Sequence, residues 1–340
     1  MASWTSTVHT LAPSARCPFH VAAVQYVPAA APGKDGLTLV FLHATNTHKE
    51  SYEPVLRHLL DRISVRDVWC IENPNHGASA VKNRELLESA EYRETWSAAE
   101  YTRAAHAFLT ATEHGVDFRA RTLVGLAHSA ASAPLLMLQR AAPAVPFAGL
   151  VFMDAAILPV GTRATQALCA LFGNWAKSKP HTWPDLAAAR RNLAATAFRG
   201  WDPRAIDLFV QHAIRPVDEL DEGKKGVTLA CSTKQEAAYY LAPGADLVAG
   251  PTQVFDALTA ADATPLHAII CLNDEYRGMG TEMKTYQIER VRRMRNGSVQ
   301  IIEGGHMFPQ INPRGTARAI ENALEKIQAR LRGAAPLSRL

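Results

Sequence analysis

The 340-residue chain is 48% hydrophobic and 20% charged, enough apolar matter for one large core and near the size at which a single core divides. Its net charge of +4 is spread along the chain; Lys224-Lys225 and Arg292-Arg293-Met-Arg295 are compact basic clusters without aromatic-rich motifs beside them, so nucleic-acid binding is not expected. Cys17, Cys70, Cys169, Cys231 and Cys271 are scattered and lack ligand spacing, which argues against a disulfide framework and against a metal site, while the absence of a basic-then-apolar leader or a long apolar window makes secretion and membrane spanning unexpected.

In chain order, the apolar pattern predicts a strand near Phe19–Val27 and a second over Leu37–Leu42, a continuous apolar run of the kind a buried parallel strand needs, stopping at His43-Ala44-Thr45-Asn46. A helix over about Ser51–Asp61, a strand over Asp67–Ile71 and a helix over about Thr95–Glu113 follow. The strand Arg121–Ala127 then ends at His128-Ser129, and small residues at once open a helix over Ala130–Arg140. A serine held in a strained turn between strand and helix requires small residues two before and two after it, and Ala127 and Ala131 fill those places. This is a relaxed form of the Gly-x-Ser-x-Gly elbow, and it makes Ser129 the candidate nucleophile.

The strand Phe147–Met153 ends at Asp154. From there the alternation of strand and helix breaks: residues 159–264 read as a mainly helical cap inserted into a core formed by 1–158 and 265–340. Pro180, Pro184 and Pro251 divide the cap into short helices, and Trp175, Trp183, Phe198, Trp201 and Phe209 could together roof an apolar pocket. The strand Leu266–Leu272 leads to Asn273-Asp274-Glu275, and the strand Ser298–Ile302 leads to a Gly304-Gly305-His306 loop and a helix over about Arg314–Arg332. Two glycines before His306 and a Pro-bounded loop after it favour an exposed, sharply turned loop, making His306 the candidate base. The fold class expected is α/β: a mostly parallel sheet flanked by helices, with Ser129, Asp154 and His306 at the carboxyl ends of strands.

With these residues in view, the chain resembles the α/β-hydrolases, and among them the fungal peroxisomal hydrolases of secondary metabolism, which include acyl-CoA hydrolases and toxin-biosynthesis hydrolases. The likeness runs through His43 with Glu50-Ser-Tyr-Glu-Pro-Val-Leu, the Val124-Gly-Leu-Ala-His-Ser129 elbow, Asp154, Trp183-Pro184, Gly200-Trp-Asp-Pro-Arg204, Gly226-Val-Thr-Leu and Gly305-His306-Met. Alanines at 44, 127, 130 and 131 depart from residues common in such relatives. The resemblance implies a serine hydrolase acting on an ester or an acyl-CoA thioester without metal or organic cofactor. It also implies backbone oxyanion donors at Thr45 and Ala130 and a triad acid at Asp154, or at Asp274 where most α/β-hydrolases carry it. A carboxylesterase or lipase, an acyltransferase, and a non-catalytic binding protein on the same scaffold remain open. Ser338-Arg339-Leu340 resembles a Ser-Lys-Leu address read by the peroxisomal import receptor, so a peroxisomal location is expected.

Overall fold

Strands buried on both faces read as near-continuous apolar runs, and the central strands of this chain do, with Thr38, Asp67, His128 and His267 as buried polar exceptions. The computed structural model describes residues 4–33, 36–221, 223–241, 249–273 and 279–333. Asp274 and Ser338-Arg339-Leu340, singled out in the sequence, lie outside the described residues.

The chain begins with β1 (Trp4–Leu11), β2 (Val21–Pro28), β3 (Thr38–Leu42), α1 (Glu53–Leu59) and β4 (Asp67–Ile71). Next come α2 (Gly77–Lys82), α3 (Arg84–Leu87), α4 (Ala98–Thr110), β5 (Leu123–His128), α5 (Ser132–Met137) and β6 (Phe147–Met153). Between β6 and the next strand of the main sheet lie α6 (Arg163–Ser178), β7 (Thr182–Trp183), α7 (Leu186–Ala195), α8 (Pro203–His212), β8 (Ile214–Pro216), β9 (Val227–Leu229), α9 (Thr233–Leu241) and α10 (Ala249–Ala261). The chain continues with β10 (Leu266–Cys271), α11 (Met279–Arg293), β11 (Gly297–Ile302), α12 (Phe308–Ile311) and α13 (Pro313–Leu331).

Among the described residues the main sheet has eight strands in the order β1-β2-β4-β3-β5-β6-β10-β11. The pairs from β4 to β11 are parallel, whereas β2 runs antiparallel to both β4 and β1. Side chains alternate across each strand, and the core divides accordingly. Val40 and Leu42 of β3 face one way, into a layer with α4, α5, α10 and α11; Leu39 and Phe41 face the other, into a layer with α1 and α13. Gly149 on β6 lets α13 approach closely, since a Cβ there would lie 2.6 Å from Ile327 Cδ1.

β1 and the short strands of the insertion differ from the sequence expectation for physical reasons. β1 is not expected from the sequence because it has no apolar face: five of its eight side chains are exposed and three half-buried, and it exists by hydrogen bonding to β2 along the full register Trp4↔Pro28 to Leu11↔Val21. The insertion also contains a three-stranded antiparallel sheet, β7-β9-β8, whose strands of two or three residues are too short to show a period. Trp183, Phe198, Trp201, Phe209 and Leu229 pack there as a separate apolar cluster. The helix α10, within the segment 159–264 read as cap, packs on α5 and α11, and its Val254 and Phe255 belong to the core layer under the sheet. Among the described residues no helix is long and apolar enough to cross a membrane.

Candidate active site

The parallel strands end together at one edge of the sheet, and four of the loops leaving them converge. β5 passes directly into a 3-10 turn at Ser129–Ala131, with Ser129 at φ +56°, a left-handed conformation costly for a residue with a Cβ. That geometry lifts the hydroxyl out of the strand toward the loops. His306, presented by a loop in which Gly304 has φ +117°, places Nε2 2.7 Å from Ser129 Oγ. Its Nδ1 lies 2.7 Å from Asp154 Oδ2, at the end of β6. The structure thus brings Ser129, Asp154 and His306 into one hydrogen-bonded line.

Asp154 is 1% exposed, and burial would by itself push its carboxyl pKa up. The hydrogen bond and charge of His306, with the Lys284 ammonium 3.8 Å from Oδ1 and the Cys271 thiol 3.4 Å from Oδ2, outweigh burial and hold it below the usual carboxylate range. The Cys271 backbone N–H adds a donor to Oδ1 at 3.3 Å. Lys284 also donates to the Asn273 carbonyl at 3.2 Å, tying the ends of β6 and β10 together.

The two peptides expected to carry oxyanion donors have fixed orientations. The Ala44 carbonyl accepts from His43 Nδ1 at 2.8 Å and from Thr47 Oγ1 at 2.7 Å. His43 Nε2 accepts the Asn73 N–H at 3.0 Å, so its proton is on Nδ1, and burial keeps the ring neutral with a pKa down at about 3. The Ser129 carbonyl likewise accepts from Ser132 Oγ at 2.7 Å and from the Ala156 N–H at 3.1 Å. In a trans peptide the N–H points opposite the carbonyl, so pinning these two oxygens sets the directions of the Thr45 and Ala130 N–H groups.

Two supporting residues were not assigned from the sequence. His128 Nε2 lies 3.0 Å from the His306 carbonyl, which can only accept, so His128 donates there and its Nδ1 accepts from Tyr52 Oη at 2.9 Å. Burial lowers the His128 pKa to about 3, keeping it neutral, and Tyr52 Oη in turn accepts the Ala44 N–H at 3.1 Å. A chain of hydrogen bonds therefore runs from the loop after β3 to the loop bearing His306. The signal for both residues was present, since they stand inside the elbow and the Glu50-Ser-Tyr-Glu stretch, yet nothing in their spacing shows that they meet 76 positions apart.

Ser129 and His306 open onto a cavity of about 350 Å3 whose walls are largely apolar. Of the five aromatic residues expected to roof it, Trp175, Phe198 and Trp201 line it, while Trp183 and Phe209 stand behind Phe198 and Trp201 in the cluster that these four share within the insertion. Leu168 and Phe172 of α6 complete that wall. Among the described residues no group of three or more His, Cys, Asp or Glu side chains could hold a metal ion.

The sequence profile of the alpha/beta hydrolase family matches residues 39–319. The chain is 27% identical over 190 residues to the type I acyl-CoA thioesterases mpaH' and mpaH of Penicillium brevicompactum; the alignment covers 53% of this chain and 40% of each relative, so the chain spans less than half the length of the curated relatives it matches. Among solved structures, the peroxisomal alpha-beta-hydrolase Lpx1 of Saccharomyces cerevisiae is similar with a TM-score of 0.70 at 14% identity, covering 99% of this chain and 92% of that one. The thioesterase domain of the curacin biosynthetic pathway is similar with a TM-score of 0.61 at 12% identity, covering 93% and 99%. At such identities the structural likeness concerns the fold.

Proposed function

Since the chain belongs to the alpha/beta hydrolase family, we propose that it is a serine hydrolase of esters and thioesters, with an acyl-CoA thioester as its substrate class. The observation that carries the reading is the line Asp154–His306–Ser129, with both hydrogen bonds at 2.7 Å and the serine opening onto an apolar cavity. His306 Nε2 takes the Ser129 proton as Oγ attacks the carbonyl carbon, and Asp154 holds the Nδ1–H tautomer and stabilises the imidazolium that forms. The Thr45 and Ala130 N–H groups stabilise the developing oxyanion, a contribution of about 3 kcal/mol each in sites of this kind. His306 then delivers its proton to the departing thiol or alcohol, and water, activated by the same imidazole, releases the acyl group from Ser129.

The apolar walls suit an acyl group with hydrocarbon or aromatic character. The thioester preference draws support from the 27% identity to acyl-CoA thioesterases. Turnover of a panel of acyl-CoAs against p-nitrophenyl esters of the same acyl groups tests it: a kcat/KM higher for the thioesters is expected, and a consistent preference for the oxygen esters would reject it. Ser129→Ala should abolish both activities and labelling by a fluorophosphonate probe while leaving the fold intact. Retained turnover in the folded variant would reject the serine mechanism.

A further inference from the structure

Two side-chain contacts join the loop after β3 to the insertion. Thr45 Oγ1 is hydrogen-bonded to Tyr240 Oη of α9, and the adjacent Asn46 Oδ1 accepts from Lys179 Nζ at 2.7 Å, one residue beyond α6. Lys179 is also ion-paired with Glu236 of α9 and lies 5.0 Å from the centre of the Trp175 ring. The Lys179 and Glu236 side chains are 8% and 1% exposed, so this pair is a desolvated one, held where a missing partner would leave a buried charge. Asn46 itself stands at φ +58°, with its N–H donating to His76 Nε2 at 3.3 Å.

The loop is thus held from two sides. His43 at the head of the loop, Tyr52 just before α1 and His76 just before α2 fix the Ala44 carbonyl, the Ala44 N–H and the Asn46 N–H in turn. Tyr240 and Lys179, from the insertion, hold the side chains of Thr45 and Asn46. The Thr45 N–H lies between these two sets of restraints, and Thr45, Asn46 and Tyr240 share the cavity wall with Leu168, Phe172 and Trp175.

We propose that Lys179 and Tyr240, with Glu236 as counter-ion, form a latch by which docking of the insertion sets the Thr45 N–H for the oxyanion, so that they are positioning residues of the reaction. The inference rests on the serine-hydrolase reading and extends it.

The test uses the full chain and a p-nitrophenyl ester that the wild type turns over. The double variant Lys179→Met/Glu236→Gln removes both buried charges together, so neither is orphaned. Its kcat should fall about tenfold to a hundredfold with KM within about threefold, and its affinity for a boronic-acid transition-state analogue should fall by the same factor as kcat. Lys179→Arg should retain most of the activity, and Tyr240→Phe, which removes one oxygen, should lower kcat and analogue affinity in the same proportion. Unfolding midpoints measured alongside separate this from a purely structural role, which would shift the midpoint and leave analogue affinity unchanged. Wild-type kcat and analogue affinity in the double variant and in Tyr240→Phe would overturn the latch alone. A wild type inert to esters, thioesters and fluorophosphonate would overturn the latch together with the hydrolase reading.

Discussion

A carboxylate that is 1% exposed is an expensive group to keep ionised, and the surroundings of Asp154 show what offsets that cost. His306, Lys284 and Cys271 each favour the charged form, and their sum exceeds the effect of burial. Asp154→Asn preserves the shape of the side chain but presents an amide that can hold the wrong tautomer of His306. Turnover should fall by about four decades, whereas Asp274→Asn, at the position outside the described residues, should cost far less. Parallel kcat measurements on the two variants check this, and a larger loss at Asp274 would reassign the acid. Ser129 carries its own strain at φ +56°, of the order of 1–3 kcal/mol, held in place by the two donors on its carbonyl.

At the scale of elements, the position of the site depends on how closely helices approach strands. α13 follows the His306 loop and packs its Ile320, Leu324 and Ile327 against the face of the sheet formed by Val151, Met153 and their neighbours. Its first turn is held by Pro313 and by the Asn312 side chain, which accepts the Gly315 N–H at 2.9 Å. The contact of Ile327 with Gly149 leaves no room for a side chain on the strand. Gly149→Val should therefore destabilise the fold by about 1–3 kcal/mol in denaturant unfolding. Adding Ile327→Val, which removes the methyl nearest the intruding group, should recover part of the loss. A double variant no more stable than Gly149→Val would show that the strain lies elsewhere.

Across the whole molecule, a buried ionic cluster joins the loop after β3, the end of β4 and the insertion. Lys49 Nζ lies 2.9 Å from Glu50 Oε1 and 3.2 Å from Glu72 Oε1; His48 Nδ1 lies 2.9 Å from Glu50 Oε2, and His212 at the end of α8 lies 3.6 Å from Glu50 Oε1. Burial raises the Glu72 pKa from 4.5 to about 7, with nearby Glu50 adding to the rise and Lys49 and the Ser79 N–H opposing it. Between those values the folded protein keeps a proton on Glu72 that the unfolded chain has released, so this residue's contribution to stability falls as pH rises from about 4.5 to 7. The unfolding free energy of the wild type relative to Glu72→Gln should accordingly decrease across that window. A difference that stays level or increases would reject this assignment.

Local pattern carried much of the fold: the apolar runs at Thr38–Leu42, Asp67–Ile71, Leu123–His128, Phe147–Met153 and Leu266–Cys271 are strands because a strand buried on both faces can be built in few other ways. The elbow at Ser129 and the glycine-led loop at His306 were legible for a similar reason, since a strained turn restricts its neighbours to small residues. What local pattern could not carry was any choice between partners distant in sequence. Asp154 meets His306 across 152 positions, and Lys179 meets Asn46 across 133. β1 exists through an edge offered by β2, α10 joins the core layer through α5, and the short strands of the insertion stand by pairing with one another. Composition and period report how much of a side chain is buried, whereas the group it is buried against is decided when the sheet closes and brings the strand ends together.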